Sequence, residues 1–282
     1  MRARRVLRVI RGRETSDGAG VRLRRSIGGS EIDHLDPFLL LDEFKSDDKD
    51  DYLAGFPDHP HRGFETVTYM LAGAMRHRDS RGNQGDLTAG SVQWMTAGRG
   101  IIHSEMPRQQ DGLMWGFQLW VNLPAAHKMR EPRYQDIPPE RLPVAFPSPG
   151  TRVRVIAGRT GEVEGPVVGI VTEPLYLDVA LEGGASFRQD VPAGRNAFAY
   201  LFEGEVSLGL DGGGGTPVSA GHLAVLGEGD SFEARAGESG GRFLLVAATP
   251  IGEPVARHGP FVMNTREELH QAVRDYQDGT LA

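Results

Sequence analysis

The sequence predicts an all-β protein made of two related domains and followed by one C-terminal helix. Its 282 residues include 38 glycines and 18 prolines, so tight turns between short strands are expected in place of long helices. Apolar residues fall in short β-branched and aromatic runs, such as residues 66–71, which are typical of strands. The glycine run at residues 212–215 predicts a hairpin loop.

The two halves of the chain share one spacing of glycines. Gly73, Gly90 and Gly98 mark it in the first half. The same two separations recur in the second half, at Gly204, Gly221 and Gly229, so one constant offset relates the two sets. Residues 68–73 also resemble residues 199–204 in apolar character. Self-similarity on this scale predicts two copies of one all-β domain.

Composition narrows the classes of function. A net charge of −7 argues against general affinity for nucleic acid, and no apolar run is long enough to cross a bilayer. The absence of cysteine excludes disulfides, thiolate metal sites and a cysteine nucleophile. We therefore expect a cytoplasmic protein, monomeric, without a membrane or direct nucleic-acid partner.

The N-terminal segment is basic, with nine arginines between positions 1 and 25. It could be a basic arm or an organellar transit peptide. The favoured interpretation is a pair of strands, residues 6–10 and 21–26, joined by a turn at residues 15–18. Apolar residues alternate with the charges there, as a half-buried strand requires.

Two pairs of metal-type ligands are each spaced two residues apart: His59 with His61, and His103 with Glu105. Residues two apart share one face of a strand, so two such strands could direct four ligands to one point. Three imidazoles and a carboxylate suit a divalent first-row metal. The second copy lacks them, because the glycine offset aligns these positions with Asp190, Pro192, Ala234 and Ala236.

A second carboxylate competes for the same role. Glu65 lies four residues beyond His61, with the same parity, and is therefore an alternative ligand to Glu105. Whichever carboxylate is not a ligand could accept the ring N–H of a ligand histidine. His77 and His127 are weaker candidates, expected on a strand face or in a loop.

The expected organisation has four parts. Residues 1–127 form the metal-binding domain, and residues 150–260 form a second domain without metal. Residues 128–149 are rich in proline, which is typical of a connection between domains. Residues 261–282 predict a helix docked on the body, since Thr265 and Glu268 have capping-box spacing.

The chain resembles the cupin superfamily at one run of residues: Gly55, His59, His61, Glu65 and Gly73. It resembles the pirin family of double cupins more specifically at four stretches: residues 36–44, 56–66, 93–107 and 118–124. The likeness is dense over residues 30–125 and in the tail, and loose in the second copy. It implies two tandem jelly-roll barrels.

The resemblance also implies a metal centre and its ligands. They are His59, His61, His103 and Glu105, with Glu65 beside the centre as a non-ligand. One divalent ion is implied, with Fe(II) preferred and Mn, Ni, Co, Cu or Zn as alternatives.

Some members of this family oxidise flavonols such as quercetin with O₂, and others are non-catalytic, metal-dependent partners of regulatory proteins. The leading hypothesis is a flavonol 2,3-dioxygenase in which Glu105 is the general base. Phe56, Met95 and Gln118 are then expected to line the pocket. The alternatives are an iron-binding, redox-sensing interaction protein, and a cupin isomerase or dioxygenase for another substrate.

Overall fold

The computed structural model describes residues 2–210 and 213–282, so the hairpin loop predicted at residues 212–215 lies partly outside the described residues. Nearly all the regular structure is strand. In the first half the strands are β1 (Val6–Arg11), β2 (Arg13–Asp17), β3 (Val21–Ile27), β4 (Phe38–Ser46), β5 (Phe56–His61), β6 (Phe64–Ala72), β7 (Ala74–Asp79), β8 (Gln84–Thr88), β9 (Val92–Thr96), β10 (Ile101–Pro107), β11 (Met114–Asn122) and β12 (Arg133–Ile137). The later strands are β13 (Val144–Ala145), β14 (Thr151–Ala157), β15 (Arg159–Thr160), β16 (Val163–Glu164), β17 (Leu175–Leu181), β18 (Ser186–Asp190), β19 (Asn196–Leu208), β20 (Thr216–Ser219), β21 (His222–Leu226), β22 (Ser231–Ala248), β23 (Ala256–His258) and β24 (Phe261–Met263).

Helical structure is limited to short segments and one C-terminal helix. The described residues form α1 (Ala125–Lys128), α2 (Arg266–Gln277) and two 3-10 turns, Lys49–Asp51 and Pro139–Arg141. The predicted capping box is confirmed, because Glu268 N donates to Thr265 Oγ1 and Thr265 N donates to the Glu268 carboxylate. No helix in the described part of the chain has the length and apolar character needed to cross a membrane.

One compact unit comprises Arg13–Pro139 with Ile251–Ala282. It contains a seven-stranded sheet in the order β12-β9-β6-β11-β4-β3-β2 and a four-stranded sheet in the order β5-β10-β7-β8. The apolar face of α2 packs in this unit, where Leu269 and Ala272 join a cluster with Phe261 and Met263 of β24. The predicted amphipathic face of the helix therefore covers part of the first barrel.

The other unit combines the N-terminal residues up to Gly12 with Glu140–Pro250. Its main sheet runs β1-β21-β19-β22-β17-β14-β13, with β18 paired to β22 and β20 paired to β19. The core of this unit is apolar and includes Phe187, Phe232 and Phe243. Ala234 and Ala236, at the positions that correspond to His103 and Glu105, are buried in that core.

The predicted duplication is visible in the strands. When the first copy is shifted by the offset between Gly73 and Gly204, the starts of β6 and β9 fall within one position of the starts of β19 and β21. The turn glycines agree as well: Gly73 and Gly204 have φ of 80° and 68°, and Gly90 and Gly221 have φ of 88° and 80°. These left-handed conformations favour glycine, which explains two of the three matched pairs; in the third pair Gly98 has φ of 52° and Gly229 does not have a positive φ.

Two predicted features of the chain differ in the structure. Strand β1 does not pair with β3; it pairs with β21, and the hairpin partner of β3 is β2. Residues 128–149 are not purely a connection, because they include β12, on the edge of the seven-stranded sheet, and β13. Strands β1 and β12 are both edge strands. The polar outer residues of such strands weaken the alternation that sequence patterns rely on.

Candidate metal centre

Three histidines converge inside the first barrel. Strands β5 and β10 are antiparallel neighbours, and their register places His59 directly opposite His103. His61 is two residues along β5 and shares its face. One nitrogen from each imidazole lies within 4.8 Å of the others, and the ring centroids are 4.3 to 4.9 Å apart.

The protonation state of these rings suits metal binding. Burial lowers the pKa of His61 and of His103 well below the ordinary value, and the neighbouring histidines act in the same direction. His61 Nδ1 and His103 Nε2 are buried without a hydrogen-bond partner in the described part of the chain. His59 Nδ1 lies 2.8 Å from the Pro57 carbonyl oxygen, so it carries the hydrogen and leaves Nε2 with a lone pair. Neutral imidazoles with unsatisfied nitrogens fit a divalent first-row metal.

Glu105 lies on the same strand as His103 and lines a cavity that His59 and His61 also line. Its Oε1 accepts a hydrogen bond of 2.9 Å from Thr68 Oγ1, and Thr68 Oγ1 is 2.7 Å from Gln118 Oε1. A hydroxyl has one hydrogen, so Thr68 can donate to Glu105 and accept from Gln118 once the Gln118 amide turns its nitrogen toward Thr68. The carboxylate is outside the tight cluster of imidazole nitrogens.

Glu65 does not share the ligand face of His61, although its even spacing from His61 along the chain suggested that it would. Its two oxygens accept hydrogen bonds from Trp94 Nε1, at 3.1 Å, and from Thr96 Oγ1, at 2.7 Å. Burial raises the pKa of Glu65, and these two donors oppose the shift. The parity argument fails because His61 and Glu65 belong to different sheets, with Gly63 at φ 90° between them. A side chain on Gly63 would also collide with the Val262 carbonyl oxygen.

His59 and His61 line a cavity of about 560 Å³, and His103 lies behind them, outside the lining residues. Phe56 and Gln118, both predicted to line it, are in its wall. Met95 is not among the lining residues; it is fully buried in a cluster with Ala97 and Ile101 and packs against Tyr134. Strand β9 lies beyond β6, away from β11, which contributes Gln118, and Met95 therefore serves packing.

Sequence reasoning missed Trp120 as a neighbour of the cluster and ranked His77 only as a weaker candidate. Trp120 lines the cavity and packs edge-on against His61, with ring centroids 5.2 Å apart. His77, expected on a strand face or in a loop, is buried on β7, with Nδ1 3.3 Å from His103 Nδ1. The alternation of buried Met75 and His77 with polar neighbours was the available signal. His127 lies in α1, partly exposed and outside this cavity.

Two jelly-roll units, with a histidine cluster described in the first and an apolar core in the second, define the class of the protein as a bicupin. Residues 20–121 match the family model Pirin, and residues 176–282 match the model of the Pirin C-terminal cupin domain. The chain belongs to the pirin family.

Known relatives are similar along their full length. A Pseudomonas aeruginosa protein provisionally named a quercetin 2,3-dioxygenase is 50% identical over 285 residues, covering 100% of this chain and 99% of the relative. A pirin-like protein of Caulobacter vibrioides is 51% identical over 280 residues, covering 99% of each. The crystal structure of a quercetin 2,3-dioxygenase from Acinetobacter baumannii is 32% identical, covers 99% of each chain and superposes with a TM-score of 0.89.

Proposed function

We propose that this pirin is a metal-dependent flavonol 2,3-dioxygenase that opens the central ring of a substrate such as quercetin with O₂. His59, His61, His103 and Glu105 would hold one divalent ion, Fe(II) by preference. The observation that carries the proposal is the cluster of three imidazoles beside a cavity large enough for an aromatic ligand. The full-length similarity to proteins named as quercetin dioxygenases supports the choice of substrate class.

The residues around the cavity have separable roles. When bound, the ion would supply Lewis acidity to the reaction. Glu105 accepts the proton of the flavonol 3-hydroxyl. Thr68 orients the Glu105 carboxylate through its hydroxyl, and Phe56 and Trp120 provide apolar walls that exclude water from the reacting ring.

The proposal is tested by aerobic consumption of quercetin by the metal-loaded protein, followed by absorbance and O₂ uptake. Glu105→Ala should abolish turnover, and equal rates for wild type and variant would refute the catalytic role. If the wild type binds metal and consumes no flavonol, the flavonol dioxygenase is refuted. The alternatives are then a metal-dependent interaction protein and a cupin isomerase or dioxygenase for another substrate, which a broad substrate screen separates. Metal analysis of protein purified without added metal identifies the native ion.

A matched pair of substitutions tests which carboxylate, Glu105 or Glu65, is the metal ligand. Glu105→Gln should lower the metal content, because it removes the proposed ligand charge. Glu65→Gln should keep the metal, since Glu65 is bonded to Trp94 and Thr96 and not to a histidine. The opposite ranking of the two variants would make Glu65 the ligand.

A further inference from the structure

One of the two arginines in the cavity wall, Arg25, is paired with two carboxylates. Arg25 makes two hydrogen bonds to the Asp42 carboxylate, of 2.8 and 2.7 Å, and a third of 2.7 Å to Asp17. Burial raises the pKa of Asp42 to about 6, although Arg25 opposes the shift. The two carboxylates occupy Arg25, which is therefore not available to a ligand.

Arg257 is the other cation in the wall of the same cavity, and it is differently placed. Its guanidinium lies 4.9 Å from the centre of the Trp120 ring, and Nη1 donates to the Leu39 carbonyl oxygen at 3.2 Å. In the described part of the chain it forms no ion pair with a carboxylate. Arg257 is half-buried, and Asp33, Asp42 and Asp17 act on its charge from a distance without forming an ion pair with it among the described residues.

The position of Arg257 relates it to the histidine cluster. Trp120, on which the guanidinium rests, is the same ring that packs against His61. A guanidinium has five N–H donors, and the one known bond, to Leu39, leaves others for a ligand. Two other carboxylates line the cavity and do not pair with Arg257 among the described residues. Glu105 accepts a hydrogen bond from Thr68, and Asp58 is exposed to solvent at the cavity wall. Among the described residues, Arg257 is thus the unpaired cation of the cavity.

We propose that Arg257 is a specificity-determining residue that binds an anionic group on the aromatic ligand, at the end remote from the metal-binding oxygens. The preferred ligands are then flavonol-type aromatics that carry a carboxylate or a similar anion. This inference rests on the proposed function, because it takes the histidine cluster as the anchor of the ligand. Arginine suits the task, since its planar fork pairs with a carboxylate through two parallel hydrogen bonds.

The test measures binding without turnover. The probes are flavonols with a carboxylate at the 4′ or the 7 position, each paired with its methyl ester. Binding to the metal-loaded protein, without O₂, is followed by quenching of tryptophan fluorescence, since Trp120 lines the cavity. For at least one isomer the wild type should bind the acid about tenfold more tightly than the ester. Arg257→Gln should remove that preference, and Arg257→Lys should keep part of it.

Arg266→Gln is the matched control, because Arg266 is exposed at the start of α2 and outside the cavity wall. It should keep the wild-type preference for the acid. The inference is overturned if acid and ester bind equally to the wild type for both isomers, if neither probe binds, or if Arg257→Gln leaves the preference intact. Oxygen uptake with quercetin is recorded separately for the wild type. If the wild type turns over quercetin and shows no preference for the acid, only the role of Arg257 is refuted. If the wild type prefers the acid and does not turn over quercetin, only the oxidation is refuted.

Discussion

His77 Nδ1 lies 3.3 Å from His103 Nδ1, and both rings are buried. Only one of the two nitrogens can carry the shared hydrogen. If His103 donates it, His103 Nε2 keeps its lone pair and can bind a metal. Burial lowers the pKa of His77, which favours a neutral ring able to accept that hydrogen. In that arrangement His77 holds the tautomer of His103 that leaves Nε2 free, which is common around metal ligands.

Replacing His77 should weaken metal binding without removing a ligand. His77→Phe deletes the acceptor for His103 Nδ1–H, and we expect the affinity for metal to fall about 10- to 100-fold. Competition with a chelating dye measures it. His77→Gln, which can still accept, should lose less, and His127→Phe, in partly exposed α1, should match the wild type. An unchanged affinity in a folded His77→Phe protein would exclude the positioning role.

Thr68→Val should reduce catalysis more than metal binding. The substitution keeps the shape of the side chain and removes the hydroxyl that donates to Glu105 at 2.9 Å. We expect kcat for quercetin to fall about tenfold, because a hydrogen bond to a charged group contributes about 1.5 kcal/mol or more. Thr68→Ser keeps the hydroxyl and should retain most of the activity. A Thr68→Val enzyme with the wild-type kcat and a normal metal content would contradict this role.

The ion pair between Arg62 and Asp275 should stabilise the first barrel. Arg62, next to His61, is buried; Nη1 donates to Asp275 of α2 at 2.6 Å, and Nε donates to the Arg99 carbonyl oxygen. Asp275→Asn should lower the free energy of unfolding by about 1 kcal/mol. Asp278→Asn, an exposed change one turn later, should have little effect. Chemical denaturation at pH 7 measures both, and equal midpoints would show that the pair contributes nothing.

The same pair predicts a pH dependence of stability. Arg62, followed by Gln271, lowers the pKa of Asp275 below its ordinary value. A carboxylate with a lowered folded-state pKa contributes its stability above its unfolded-state pKa, about 4. The contribution is lost as the pH falls through the lowered value. The difference in unfolding free energy between wild type and Asp275→Asn should therefore be constant from pH 5 to pH 7 and shrink below about pH 4.

Lys128 should make stability rise at alkaline pH. Its Nζ donates to Gly63 O, Asn122 Oδ1 and Val262 O at 2.7, 2.7 and 3.0 Å, and burial lowers its pKa to about 8. The unfolded chain keeps the ordinary lysine pKa of about 10.4, so it binds more protons than the folded chain between these values. Unfolding free energy relative to Lys128→Met should rise by up to about 3 kcal/mol from pH 8 to pH 10.5. A difference that stays flat over this range would mean that Lys128 is not desolvated.

Much of the fold and part of the centre could be predicted from local patterns. The glycine spacing reports left-handed turns that both copies need, and Gly73 and Gly204 adopt them. The capping box at Thr265 is equally local. His59 and His61 share a face because the period of a single strand decides it. The strand at β1 was predicted and its partner was not, and β12 was not predicted as a strand, since the pairing of both depends on partners far along the chain.

By itself, the sequence determined the two-barrel architecture, the barrel that carries the histidines, and the residue types of the candidate metal ligands. Only the tertiary structure decided which other groups reach that point. Glu65 leaves the cluster at the turn through Gly63, His77 joins it through the pairing of β7 with β10, and Arg257 enters the cavity from the far end of the chain. The physical reason is that side-chain parity holds only within one strand, whereas register between strands and the return of the C-terminal segment depend on long-range packing.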